Sequence, residues 1–89
     1  MKKNIIQEEK EMENYFKGEC RALSQNINIL TKKMAKSKLS IAAINMAGEL
    51  LSILLLIKNN IENRTISQER LLIVIQRLPL LYMQIPKIA

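Results

Sequence analysis

The stretch from Leu39 to Ile57 constrains the fold more than any other part of the sequence. Its nineteen residues contain no Lys or Arg and a single acidic residue. On a helix, its polar residues recur at i, i+3, i+4 and i+7 and form one narrow stripe on an apolar cylinder; they are Asn45, Gly48, Glu49 and Ser52. We expect such a helix to be covered on nearly every side, either by other helices of a bundle or by lipid.

The composition favours helices packed on helices in a single domain that spans residues 1–89. A chain of 89 residues is too short to divide into two useful cores. The hydrophobic residues make up 48% of the chain, but only two Tyr and one Phe are aromatic, so the core must be aliphatic. Two Gly and two Pro are too few for the turns of a many-stranded β fold. The predicted fold is all-α, a small antiparallel helix bundle.

The first helical region extends from residue 5 to residue 34. Its apolar residues follow the alternating spacing of four and three that forms a seam against a neighbouring helix; they are Phe16, Cys20, Leu23, Ile27, Leu30 and Met34. Gly18 and residues 24–26 are candidate breaks, and we favour at least a bend there. The bundle therefore has three long helices, or four if the first region breaks near residues 18–26.

A second helix is predicted from about Ser40 to Lys58, because Ser37 or Ser40 can cap its amino end. A third helix is predicted to follow residues 65–68, Thr-Ile-Ser-Gln, which have the pattern of a capping box with Thr65 as the cap.

Pro79 interrupts the apolar pattern of the third helix. Because proline removes a backbone donor and clashes with the preceding turn, we expect a kink or an end near Leu78. The tail from Leu80 to Ala89 is apolar. It either folds back over the bundle or remains an exposed adhesive segment.

Catalysis has little support in this sequence. There is no His and no recognisable glycine-rich phosphate loop, and the chain has no ligand set for zinc. We therefore predict no enzyme activity, no cofactor and no metal. Cys20 falls on the seam and is interpreted as a small buried hydrophobe. Glu49 is interpreted as part of a solvated stripe, the alternative being a buried carboxylate with a raised pKa.

The net charge of +6 is unevenly distributed. Residues 21–40 contain five basic residues and no acidic residue. Four of them form a candidate patch for an anionic surface: Lys32, Lys33, Lys36 and Lys38. A solvated basic face is the simplest interpretation and peripheral contact with an anionic membrane the next. Nucleic-acid binding is disfavoured, because neither a recognition helix nor stacking aromatics accompany the lysines.

The amino terminus argues for an intracellular protein. Its basic opening, Met1-Lys2-Lys3, leads into a run of glutamates rather than the apolar core of a signal peptide. Insertion of residues 39–57 into a bilayer sums to about zero, since the gain from Leu and Ile offsets the cost of a central Glu. A small membrane protein is therefore the less favoured alternative.

The order of features from residue 37 to residue 83 resembles the immunity proteins of pediocin-like bacteriocins. The resemblance is carried by an apolar helix, the polar link Lys58-Asn59-Asn60-Ile61-Glu62-Asn63-Arg64, and a last helix that starts in Thr65-Ile66-Ser67-Gln68-Glu69-Arg70-Leu71-Leu72. It implies a cytosolic antiparallel four-helix bundle that protects the producer cell through contact with a membrane receptor, a mannose phosphotransferase permease. It nominates four partner-contacting residues in the C-terminal part: Leu80, Tyr82, Met83 and Ile85.

The main alternative is an interaction protein of another kind. A nearly all-apolar central helix is also typical of a helical subunit or secretion-type chaperone whose apolar faces are completed by a different chain, or by a second copy of the same chain. Insolubility without a partner, or a stable dimer, would favour this alternative.

Overall fold

The structure of the protein, a computed structural model, describes residues 5–36 and 38–88. The described residues form three α-helices, α1 (Ile5–Lys36), α2 (Ile41–Asn63) and α3 (Gln68–Tyr82), followed by one 3₁₀ turn (Ile85–Lys87), and contain no strand. The predicted all-α bundle is confirmed, with three long helices.

Helix α1 runs through its candidate breaks without interruption. Gly18 costs a helix only about 1 kcal/mol relative to Ala, and apolar residues pack on both sides of it. Asn26 lies within the helix, and its side chain donates a hydrogen bond to the Ala22 carbonyl of the preceding turn, at 2.8 Å. The alternative of a fourth long helix, formed by a break near residues 18–26, is therefore wrong, and so is the four-helix bundle that the resemblance to immunity proteins implies.

Helix α2 begins where predicted and ends five residues later than predicted. The Ser40 hydroxyl accepts a hydrogen bond from the Ala43 amide at 3.1 Å and caps the amino end; Ser37 lies outside the described residues. At the other end, Arg64 adopts the left-handed conformation, with φ 51° and ψ 43°. Its amide bonds the Asn60 carbonyl, which closes the last turn after Asn63 rather than after Lys58.

Helix α3 begins later than predicted and does not end at Leu78. Ser67, not Thr65, is the cap, and its hydroxyl accepts a hydrogen bond from the Arg70 amide at 3.3 Å. The Thr65 hydroxyl instead donates to the Asn60 side chain in the preceding turn. The helix also continues through Pro79 to Tyr82, because residues on both sides of the proline, Leu78 and Ile85, are anchored in the core.

The short links make neighbouring helices antiparallel. Arg64, just after α2, contacts Glu13 in the first half of α1, at 2.9 Å. The Lys33 ammonium, near the end of α1, donates to the carbonyls of Ile85 and Pro86, at 3.0 and 3.2 Å. The molecule is elongated, 58 × 20 × 18 Å, and α1 and α3 run in the same direction.

One apolar cluster holds the helices together. It takes Phe16, Leu23 and Leu30 from the α1 seam, Ala47, Leu50, Leu54, Ile57 and Ile61 from α2, Leu71, Ile75 and Leu78 from α3, and Ile85 and Ile88 from the C-terminal segment. The other seam residues, Cys20, Ile27 and Met34, are half-buried against it. The seam predicted for α1 is confirmed, and the C-terminal tail folds back on the bundle.

Replacing Ser67 with Ala tests the position of the α3 cap. We expect the free energy of unfolding to fall by about 1 kcal/mol, because an N-cap hydroxyl contributes about that much. Thr65→Ala is the matched variant, with an expected change under about 0.5 kcal/mol, since the Thr65 hydroxyl makes one solvent-exposed hydrogen bond, to the Asn60 side chain. Urea unfolding followed by circular dichroism measures both. A larger loss for Thr65→Ala would return the cap to the sequence-predicted position.

Candidate interaction surfaces

The outward face of α2 is an unusual surface of the described residues. Five residues of α2 are buried against the rest of the bundle, but large apolar side chains elsewhere on the helix are exposed. Ile41 is 80% exposed and Leu56 61%. We define the α2 outward face by these exposed residues: Ile41, Ile44, Met46, Ile53, Leu55 and Leu56. Large apolar side chains exposed in this number on one helix are a feature of interaction sites.

The polar stripe predicted for α2 lies along this outward face. Asn45, Glu49 and Ser52 are exposed, and Gly48 is half-buried. Glu49 is therefore a solvated residue in this structure rather than a buried carboxylate. The expectation that α2 is covered on nearly every side is wrong for this chain alone, because in a three-helix arrangement α2 has two neighbours and leaves its far side open.

Helix α2 is also long and apolar enough to cross a membrane, judged by length and composition. Only 22% of the residues in its most apolar window are buried within the molecule. The core helix of a soluble protein, which passes the same test, is mostly buried. The outward face, not the helix as a whole, is therefore the feature that needs an explanation.

The candidate anionic-surface patch lies at one end of the bundle. Lys32, Lys36 and Lys38 are exposed, whereas Lys33 is half-buried and holds the C-terminal segment through its two carbonyl contacts. Those contacts bring Lys87, also exposed, to the same end. We call this end of the molecule the lysine end; its charged residues are Lys32, Lys33, Lys36, Lys38 and Lys87.

The four C-terminal candidates for partner contact divide into two exposed and two enclosed residues. Leu80 is 64% exposed and Met83 60%. Ile85 is 4% exposed and belongs to the core, so it is not available to a partner in this structure. Tyr82 is half-buried, with its hydroxyl buried and without a hydrogen-bond partner among the described residues. Spacing alone does not separate the two pairs, because their burial depends on where the tail folds back.

A groove of about 690 Å³ lies between α1 and the last turns of α2. The Glu13–Arg64 ion pair spans one edge, and the Arg64 hydrogen bond lowers the pKa of the Glu13 carboxyl. Cys20 lines the groove, and burial raises the pKa of its thiol above the ordinary value, which disfavours the reactive thiolate. The interpretation of Cys20 as a small core hydrophobe is consistent with this environment.

The described part of the chain brings together no group of three or more His, Cys, Asp or Glu side chains that could hold a metal ion. Its unusual features are all surfaces: the α2 outward face, the lysine end, and the exposed pair Leu80 and Met83. Comparisons with models of protein families, with curated proteins and with solved structures find no match. These surfaces are therefore the basis for assigning a function.

Proposed function

We propose that this protein is a bacteriocin immunity protein, which protects the cell that produces it by contact with a membrane receptor complex at the cytoplasmic side. The proposal rests on the resemblance in residues 37–83 together with one observation. Leu80 and Met83, in the C-terminal part that the resemblance nominates, are large apolar side chains that the bundle leaves exposed. Exposed apolar anchors on a rigid helix are typical of binding sites for another polypeptide.

The physical basis of the proposed contact is burial of these two side chains by the receptor. Leu80 lies in the last turn of α3, and Met83 follows directly as its C-cap residue. The core residues Leu78 and Ile85 anchor the chain on both sides of the pair. Leu80 and Met83 are thus held on a supported segment, which reduces the entropy lost on binding.

The test is expression of the chain in bacteria sensitive to pediocin-like bacteriocins, followed by challenge with a panel of these peptides. We expect protection against one or a few of them. Leu80→Asp and Met83→Asp should each abolish it, since a charge placed at an apolar contact weakens binding by about 2 kcal/mol or more, about 30-fold. Gln76→Asp, an exposed change on the same helix, adds the same charge and should retain protection.

Absence of protection, with the protein shown to be soluble and abundant in the cells, would refute the proposal. Equal loss of protection in all three variants would also count against it, because a general effect of added negative charge would then explain the result. Circular dichroism of each variant shows whether the helices remain intact.

A second candidate function is favoured by the α2 outward face. We propose, as the alternative, a helical subunit or secretion-type chaperone whose partner chain covers that face. In this case the purified protein should associate or precipitate by itself, and Leu56→Lys should restore a monomer in sedimentation experiments. Leu80→Lys is the matched control and should leave the association unchanged. An immunity protein would instead keep its protection in the Leu56→Lys variant.

A further inference from the structure

We infer that the lysine end of the bundle binds the surface of an anionic lipid membrane. The inference does not depend on the immunity function. Its basis is the juxtaposition of exposed lysines with exposed apolar residues from three separate segments, which the fold brings to one end of the molecule.

The charges of the chain are separated along its long axis. Six of the eight acidic residues occur in residues 8–13 or 62–69, which the antiparallel arrangement places toward the opposite end, and Glu19 lies near the middle of α1. Residues 20–48 and 70–89 contain no acidic residue at all. These two ranges include the second half of α1, the first turns of α2 and the whole C-terminal segment. The lysine end therefore presents a field of one sign, with Glu49 as the nearest acid along α2.

The basic residues are also unevenly distributed along the chain. Of fourteen basic residues, six fall at the lysine end or in the last turns of α3: Lys32, Lys33, Lys36, Lys38, Arg77 and Lys87. The remaining eight equal the eight acidic residues in number. Basic residues therefore greatly outnumber acidic residues at this end of the molecule, which is able to attract an anionic surface.

Apolar side chains are exposed beside these lysines. Ile41, the first residue of α2, follows Lys38 by three positions and is the most exposed large apolar residue described. Met83, which is also part of the proposed receptor contact, is exposed and precedes Lys87 by four positions. Lysines around protruding apolar side chains suit the boundary between headgroups and acyl chains, because the ammonium groups meet phosphates while the apolar groups enter the acyl region. A merely solvated basic face has no need of these apolar side chains.

The Lys33 contacts give the surface a fixed shape. The ammonium binds the Ile85 and Pro86 carbonyls, while the Ile85 and Ile88 side chains are buried in the core. Lys87, between them, is therefore held beside α1 rather than on a free tail. Lys33 serves as a positioning residue for the surface, while Lys32, Lys36, Lys38 and Lys87 are free to meet headgroups.

The experiment measures sedimentation of the full chain with vesicles of phosphatidylcholine alone and of phosphatidylcholine mixed with phosphatidylglycerol. We expect binding to the anionic vesicles and little to the neutral ones, with a strong decrease as salt is raised. The test variant replaces Lys32, Lys36 and Lys38 with Gln and keeps Lys33. At about fivefold per lysine, its affinity should fall on the order of 100-fold.

The matched control replaces Lys10, Lys17 and Arg70 with Gln, which removes the same charge from the other end of the molecule. All three side chains are exposed, and none belongs to the lysine end. We expect its affinity to fall less than about fivefold. Ile41→Ser, with all lysines present, should weaken binding by about tenfold if the apolar side chain enters the lipid.

Three results would overturn the inference: no binding to anionic vesicles at low salt, equal loss in the two triple variants, or no effect of Ile41→Ser. A parallel titration with duplex DNA tests the other polyanion. Tighter binding to DNA than to anionic vesicles, unaffected by Ile41→Ser, would assign the lysine end to nucleic acid instead. The bacteriocin assay is a separate experiment, so either proposal can fail alone.

Discussion

Leu54→Ala is expected to lower the free energy of unfolding by about 3 kcal/mol, because removal of a fully buried leucine side chain costs about 2 to 5 kcal/mol. Leu54 is 0% exposed and lies in the middle of α2, within the apolar cluster. For a domain of this size the loss is a large part of the total stability. Urea unfolding followed by far-ultraviolet circular dichroism measures it.

Leu56→Ala is the matched control on the same helix. It removes the same atoms from a side chain that is exposed to solvent, so the expected change is within about 0.5 kcal/mol. A loss at Leu56 as large as that at Leu54 would contradict the described packing. It would show that the α2 outward face is buried in solution, as expected if another chain covers it.

The seam of α1 could be predicted from the sequence because it depends on local spacing. Phe16, Leu23 and Leu30 recur every seven residues, and any helix with that pattern buries them on one face. Gly18 predicts a helix break only weakly. The cost of a glycine within a helix, about 1 kcal/mol, is small compared with the free energy gained by packing the seam residues. Continuity of α1 is therefore a tertiary effect that single-residue propensities do not reveal.

The ends of α2 and α3 were harder to predict because several residues can serve as caps. Thr65 and Ser67 both follow the left-handed Arg64, and both carry a hydroxyl. The choice is fixed by the Thr65 side chain, which bonds back to Asn60 and so remains part of the preceding turn. That contact depends on the geometry of the link, which the sequence pattern of a capping box does not contain.

The candidate sites could likewise be predicted from the sequence only in part. The lysines were visible as a run without acids, but the addition of Lys87 and the separate role of Lys33 depend on a contact between residues more than fifty positions apart. The exposure of α2 could not be predicted from its composition. The composition of a nearly uniform apolar helix indicates that its side chains need to be buried. It does not indicate whether the same chain or another chain buries them.

Tyr82→Phe is expected to raise the free energy of unfolding by about 1 to 3 kcal/mol. The Tyr82 hydroxyl is buried and finds no hydrogen-bond partner among the described residues, so folding strips it of water without replacing the lost bond. Phenylalanine keeps the ring and removes the unsatisfied group. Unfolding in urea at neutral pH gives the difference, and Leu80→Ala, a change at a nearby exposed residue, should shift the midpoint little.

The same variant carries a pH signature. Burial raises the pKa of Tyr82 to about 12 from its ordinary value of 10, with a smaller contribution from the nearby Glu19 carboxylate. The native state therefore keeps the phenol proton to a higher pH than the unfolded state does. The contribution of the protonated Tyr82 phenol to the free energy of unfolding is fully present below pH 10 and is lost as the pH rises from about 10 to about 12.

Tyr82→Phe should lose that part of the pH dependence, while every other residue is the same in both proteins. The difference in unfolding free energy between the two proteins, measured at a series of alkaline pH values, isolates the contribution of Tyr82. A constant difference across this range would mean that the hydroxyl is solvated. In that case the buried environment of Tyr82, and with it the docking of the C-terminal segment beside α1, would need revision.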